Sequence, residues 1–391
     1  MRPLILTATT VISAIGCGAS ATLAALRDRR GGLQPCDFQG ITTGFIGRVP
    51  MVESHALPSG LAGFDCRNNR LADLALRTDG FADALAAACD RYGAARIAVV
   101  AGSSTSGILS TEQAYRARES DTGALPANFD YDHTHEMFSL AHFVRTVLGL
   151  RGPAMTVSTA CASSAQTFID ARHLIEAGVC DAAVVGGADS LCSMTLRGFG
   201  SLELTSPVPC CPSDAARAGI SIGEAAGFAL LERDGDGVAL VGCGASSDGY
   251  HMSAPHPDGA GAIAAMQAAL SAAALSPADI DYVNLHGTGT RANDAMEDRA
   301  MAEVFGSDTP CSSTKGWTGH TLGASGIVEA VIAGLCLQHD FMPGGLNVTT
   351  LDPAFRARVI LDNADTPVRR VMSNAFGFGG INCSLIFAAN P

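Results

Sequence analysis

Short apolar runs that stop abruptly at small residues or glycines, each followed by a helix-length segment, recur along this chain and restrict it to an alternating α/β architecture. Arg96-Ile97-Ala98-Val99-Val100 leads into Gly102-Ser103-Ser104, and Ala154-Met155-Thr156-Val157 leads into Cys161 and an amphipathic helix closing at Gly178. Ala182-Ala183-Val184-Val185 ends in Gly186-Gly187. In the second half Tyr282-Val283-Asn284-Leu285 runs into His286-Gly287-Thr288, and Val371-Met372-Ser373 enters a glycine-rich turn that returns along Cys383 to Phe387. Runs apolar on both faces are expected in buried sheets covered by helices. The two halves follow a similar plan, which predicts a duplicated architecture divided into residues 1–245 and 246–391. In open α/β sheets ligands gather beyond the carboxyl ends of strands, so Cys161, His286 and the loop near Phe378 are expected to converge.

Composition narrows the function. Of 391 residues, 47% are hydrophobic and 16% charged, which suits a large core and excludes a disordered chain. The formal charge of −13, with no Lys/Arg-rich run, argues against a nucleic-acid binder. An odd count of 13 cysteines without a CxxC pair reads as core residues in a reducing cytosol and assigns no metal site. Residues 1–26 loosely resemble a lipoprotein signal reaching Ala14-Ile15-Gly16-Cys17. They divide, however, into a strand-like part (Leu4 to Ile12) and a helix-like part (Ala19 to Arg27), as mature structure does. No apolar run is read as reaching the ~18 residues of a membrane span.

Four blocks carry the chemistry. In Ser158-Thr159-Ala160-Cys161-Ala162-Ser163-Ser164 a cysteine sits at a helix start, where free backbone N–H groups and the helix dipole favour the thiolate. By itself such a cysteine is more often a packing residue. Asn284-Leu285-His286-Gly287-Thr288-Gly289-Thr290 delivers a histidine from a strand end beside two hydroxyls. Ser312 to Gly326 places Lys315 and His320 in a glycine-rich loop before an apolar helix, and Ser373-Asn374-Ala375-Phe376-Gly377-Phe378-Gly379-Gly380 forms a flexible turn.

Together these blocks resemble the β-ketoacyl synthase family of the thiolase superfamily, in its elongation branch, over almost the whole chain. The resemblance implies a five-layered αβαβα thiolase fold of two similar halves, working as a homodimer or a synthase heterodimer in the cytoplasm. It implies transfer of an acyl chain from acyl carrier protein to Cys161. Decarboxylation of malonyl-carrier protein and attack of its carbanion on the thioester then follow. His286 and His320 would donate to the enolate oxygen, Lys315 would orient them, and the backbone N–H groups of Cys161 and Phe378 would hold the second oxyanion. Thr288 and Thr290 match positions that bind the phosphopantetheine arm, Phe376 and Phe378 flank the substrate, and Phe378 matches a mobile gate. Glu329 matches a buried partner of the lysine. Substrates arrive on phosphopantetheine, and no cofactor of the enzyme's own is implied.

Departures from the family pattern bear on the substrate. Ile220, in Gly219-Ile220-Ser221-Ile222-Gly223-Glu224, replaces a phenylalanine, and Ser213-Asp214 replaces a phenylalanine-aspartate pair. A changed pocket admits a different chain, rigid or unsaturated, and tilts the reading toward a specialised polyene or polyketide pathway. Arg67 and Arg70 stand where relatives dock the acidic carrier, with Arg116 and Arg118 as further candidates, whereas Glu203 occupies a position often held by arginine. The alternative function is a non-catalytic partner subunit resembling a chain-length factor. Such subunits usually lack the cysteine.

Overall fold

The computed structural model describes residues 1–389. Its main strands fall into two sets with the same order. The first comprises β1 (Leu4–Ser13), β2 (Ile97–Gly102), β3 (Ala154–Val157), β4 (Ala182–Asp189) and β5 (Ala225–Glu232), arranged β3-β2-β4-β5-β1. The second comprises β6 (Val238–Ser247), β7 (Tyr282–Asn284), β8 (Pro310–Ser312), β9 (Arg370–Phe376) and β10 (Ile381–Ala389), arranged β8-β7-β9-β10-β6. The sets join where β1 and β6 pair antiparallel, Leu4 with Leu240 and Leu6 with Val238. The boundary expected near residue 245 lies inside β6.

Helices α1 (Arg67–Leu76), α2 (Phe81–Tyr92) and α3 (Ser139–Val147) pack with Ile97, Val99, Val184 and Phe228 of the first set. Helices α4 (Ser163–Glu176) and α7 (Ser325–His339) lie between the two sets, with Phe168, Ile327 and Val331 sharing a core with Val100, Val185, Val371 and Phe387. Helices α5 (Ala260–Ala273) and α6 (Arg291–Phe305) cover the far face of the second set through Met266, Leu270, Met296 and Met301. The result is helix, sheet, helix, sheet, helix.

The central layer explains the composition of α7. All its residues from Ser325 to Leu337 are buried, and a helix apolar on all sides belongs in a core or a membrane. The expectation that no apolar stretch reaches membrane-spanning length is corrected here. Leu322–His339 is 18 residues long and apolar enough, but 83% of it is buried inside the protein. The amino-terminal segment likewise divides as read, with β1 in the sheet and a helix over Ala19–Arg27.

α4 and α7 meet through small residues. A Cβ on Gly326 would stand 2.5 Å from the backbone nitrogen of Ala165. Gly326→Ala is therefore expected to destabilise the fold by about 1–3 kcal/mol, the usual size of overpacking, read as a lower thermal or denaturant midpoint.

Candidate active site

Equivalent strands of the two halves deliver the reactive groups. β3 leads to Cys161, just before α4, and β8 leads to Lys315 and His320, just before α7. β7 leads to His286, and β9 leads to the turn bearing Phe378. Ala160 takes up a left-handed backbone (φ +50°), unusual for a residue with a side chain, and turns Cys161 into the cavity. Asp189, at the end of β4, accepts from the backbone N–H groups of Ser104, Thr105 and Gly323, which ties the two halves together beside the site.

The sulfur of Cys161 lies 3.0 Å from Nε2 of His320. Cys161 Sγ and one ring nitrogen each of His286 and His320 all fall within 4.8 Å of one another. The two imidazoles stand edge to face, with centroids 5.3 Å apart and planes at 85°. Behind them Lys315 is 1% exposed. It is ion-paired with Glu329 and faces Nδ1 of His286 at 3.5 Å. An ammonium only donates, so His286 Nδ1 accepts and its hydrogen remains on Nε2. Burial, followed by the Lys315 charge, drives both histidines well below their ordinary pKa, and His320 adds to the effect at His286. Both rings are therefore neutral near pH 7 and can donate without carrying charge. Burial pushes Glu329 up to about 7 against the opposing Lys315 charge. Lys315 is the only lysine in the chain.

Burial also decides the state of the nucleophile. The helix start by itself favours the thiolate, but desolvation pushes the Cys161 thiol up to about 11. The N–H groups of Phe378 and Cys161 and the Lys315 charge pull the other way without prevailing. Cys161 therefore rests as a thiol beside a neutral histidine. Those same two N–H groups face the sulfur, where an oxyanion on a bound thioester would form.

A cavity of about 250 Å3 opens onto these groups. Its walls include Ile220, Thr288, Thr290, Phe376 and Phe378, so most of the residues singled out in the sequence surround one space. Lys315 lies behind His286 rather than in the wall. The hydroxyls of Thr288 and Thr290 are 3.0 Å apart, and Thr290 also caps α6 by accepting from the Asn293 N–H. The Phe378 ring rests 5.4 Å from that of Phe199, and the turn beyond it needs left-handed backbone at Gly379 (φ +86°) and Gly380 (φ +81°).

Glu297 escaped the sequence reading. Buried on α6, it accepts from the backbone N–H groups of His286 (2.8 Å) and Gly287 (2.7 Å) and so fixes the loop that carries His286. Desolvation holds its carboxyl up at about 7. Its signal was its place on the same helix face as Asn293, Ala300 and Met301, all buried.

Profiles of one family account for most of the chain. The profile described as "Beta-ketoacyl synthase, N-terminal domain" matches residues 72–237, and "Beta-ketoacyl synthase, C-terminal domain" matches residues 238–349. The chain belongs to the β-ketoacyl synthase family. It is 40% identical over 264 residues to the mitochondrial 3-oxoacyl-[acyl-carrier-protein] synthase of Arabidopsis thaliana, a match covering 62% of this chain and 57% of that one. It is 34% identical over 258 residues to 3-oxoacyl-[acyl-carrier-protein] synthase 2 of Staphylococcus aureus, covering 61% of this chain and 64% of that one. Less than two thirds of either relative is thus spanned. Among solved structures, a chain of the ketosynthase ApeO in complex with its chain length factor ApeC from Xenorhabdus doucetiae superposes with a TM-score of 0.90 and 39% identity. That match covers 100% of this chain and 98% of that one. The ishigamide ketosynthase/chain length factor gives 0.90 at 28% identity, covering 100% of both chains. The fold is accordingly the thiolase-like fold of ketosynthases.

For this member of the family the basic residues expected at the surface need one correction. The Arg67 side chain is only 8% exposed and is held by buried Glu224, 2.7 Å away, and by Glu53. That commitment removes it as a docking cation. Arg70 is 32% exposed and paired with Asp65, and Arg116 is half exposed beside Glu112. Glu203 sits exposed at the end of the helix Ser193–Ser201, in a left-handed conformation.

Proposed function

We propose that the chain is a condensing enzyme that joins malonyl-acyl carrier protein, with loss of carbon dioxide, to an acyl chain held as a thioester on Cys161. The observation that carries this reading is the contact of Cys161 Sγ with His320 Nε2 at 3.0 Å, with His286 beside it, in the wall of one cavity. In the first stage the Cys161 sulfur attacks the carrier-bound thioester, and the N–H groups of Cys161 and Phe378 stabilise the oxyanion. The bond to the phosphopantetheine sulfur then breaks, and the carrier leaves as a free thiol with the hydrogen that Cys161 gave up. In the second stage the malonyl carboxylate leaves as carbon dioxide while the thioester oxygen takes up charge under hydrogen bonds from the neutral imidazoles. The resulting carbanion attacks the acyl thioester, forming the new carbon–carbon bond and releasing the Cys161 sulfur. Thr288 and Thr290 would meet the phosphopantetheine arm, and movement of Phe378 away from Phe199 would open the cavity to the second substrate. Mass spectrometry of the protein with an acyl-carrier protein, combined with carbon dioxide release from malonyl-carrier protein, tests both stages. Neither adduct nor release would leave the partner-subunit reading in its place. The intact set of Cys161, His286 and His320 supports an active member.

The partners in this reading are the carrier protein and a second synthase chain. β3 is the edge strand of its set, and its Met155 is 40% exposed, an arrangement suited to pairing with another subunit. The ketosynthases ApeO and ishigamide ketosynthase were solved with chain length factors, which supports a heterodimer here as a second possibility beside a homodimer.

Ile220 is 3% exposed and packs with Ile108, Leu196 and Leu322 at the apolar end of the cavity. We assign that end to the acyl chain and Ile220 to its selection. Ile220→Phe is expected to cut labelling of Cys161 by long, rigid unsaturated or aryl chains roughly tenfold relative to a short saturated chain, a typical penalty for lost pocket volume. Competition among saturated, unsaturated and aryl-acyl carrier proteins, read by mass, checks it.

A further inference from the structure

Ser325 stands on the side of His320 away from the cavity. It is the first residue of α7 and 1% exposed. Its Oγ lies 3.0 Å from His320 Nδ1, and Thr321 Oγ1 lies 3.2 Å from that same oxygen. A neutral imidazole carries one hydrogen, so its two nitrogens cannot both donate. Two donors compete for the ring. The thiol of Cys161 can donate to Nε2, which would place the ring hydrogen on Nδ1, and the hydroxyl of Ser325 can donate to Nδ1, which would place it on Nε2. A hydroxyl is the stronger donor, and the Thr321 hydroxyl can donate in turn to Ser325 Oγ.

We propose that Ser325 is a positioning residue that fixes the hydrogen of neutral His320 on Nε2, the nitrogen facing Cys161 and the cavity. The proposal rests on the condensing reading for its purpose, since only a hydrogen on Nε2 can reach the malonyl thioester oxygen as charge grows there. It needs no such reading for its physical content, which is the position of one hydrogen. Once the sulfur carries an acyl group its own hydrogen is gone, and Ser325 remains the group that holds the ring in this form.

The test uses the full-length protein with Ser325→Ala, which removes the hydroxyl at almost unchanged volume, and Ser325→Cys, which puts a weaker donor in a slightly larger side chain. Expected is a graded fall in carbon dioxide release from malonyl-carrier protein, about tenfold in kcat for alanine, the worth of one hydrogen bond, and less for cysteine. KM should stay within about twofold, because the ring does not hold the carrier arm. Nitrogen-15 spectra of histidine-labelled protein, recorded without substrate, should show His320 hydrogen on Nε2 in the parent and on Nδ1 in the alanine variant. Identical ring spectra in the parent and alanine variant would overturn the proposal, as would a kcat ranking that follows side-chain volume rather than donor strength. A parent protein that neither loads an acyl chain nor releases carbon dioxide would instead remove the condensing reading, while the ring spectra would still decide the role of Ser325.

Discussion

Replacing Cys161 by alanine is expected to abolish acyl loading while leaving carbon dioxide release from malonyl-carrier protein measurable. Loading needs a sulfur to form the new thioester, and no other group in the cavity offers one. Decarboxylation needs hydrogens aimed at the malonyl thioester oxygen, and Cys161→Ala leaves both imidazoles in place. The two activities should therefore separate completely in one variant. Peptide mapping makes the result decisive, because 12 other cysteines are free and Cys17 and Cys89 among them are partly exposed. An acyl group that stays on the Cys161→Ala protein would sink the assignment of the nucleophile. So would a wild-type adduct that maps to Cys17 or Cys89.

His286→Ala should give the complementary phenotype. His286 does not touch the sulfur in the way His320 does. Its Nδ1 is occupied by Lys315 at 3.5 Å, and its backbone is held by Glu297. That leaves Nε2–H as its one working contact with the cavity. Losing a preorganised donor to a developing oxyanion costs about 10²–10³ in rate, so carbon dioxide release should fall by that factor. Loading of Cys161 should stay within a few-fold of the parent, since in the proposed reaction the N–H groups of Cys161 and Phe378 serve that stage. Stopped-flow loading and radiometric carbon dioxide release on the same preparation distinguish the stages. Equal losses in both would mean that His286 supports the site as a whole rather than one oxyanion.

Much of this site was legible in the sequence because its parts are local. Cys161, His286 and Phe378 each follow a strand within a few residues, and His320 comes one short turn later after the strand ending at Ser312. Glycines lie in or beside the turns that carry His286, His320 and Phe378. Strand ends in a layered α/β fold meet along one line, so the convergence follows from the pattern. What escaped depended on partners far apart in the chain. Arg67 looked like a surface cation because Glu224, which neutralises it, lies 157 residues away. Glu297 looked like one acid among several on a helix, and only the packing of α6 against the His286 loop reveals its two accepted hydrogen bonds. The state of the Cys161 thiol is hidden from the sequence for the same reason. The helix start is a local signal, whereas the desolvation that outweighs it comes from the whole assembly of layers. The apolar character of α7 was similarly ambiguous until the second sheet was seen to cover it.

The burial of Lys315 has a practical side. Every other basic side chain is arginine or histidine, and Lys315 is 1% exposed, so the folded chain offers amine-directed reagents no exposed lysine side chain. Succinimidyl dyes, surface-coupling chemistries and amine cross-linkers should therefore leave Lys315 and the cavity untouched. Label found on Lys315 would then count molecules in which the central layers have parted. That turns an ordinary protein-labelling reaction into a gauge of how often this fold opens.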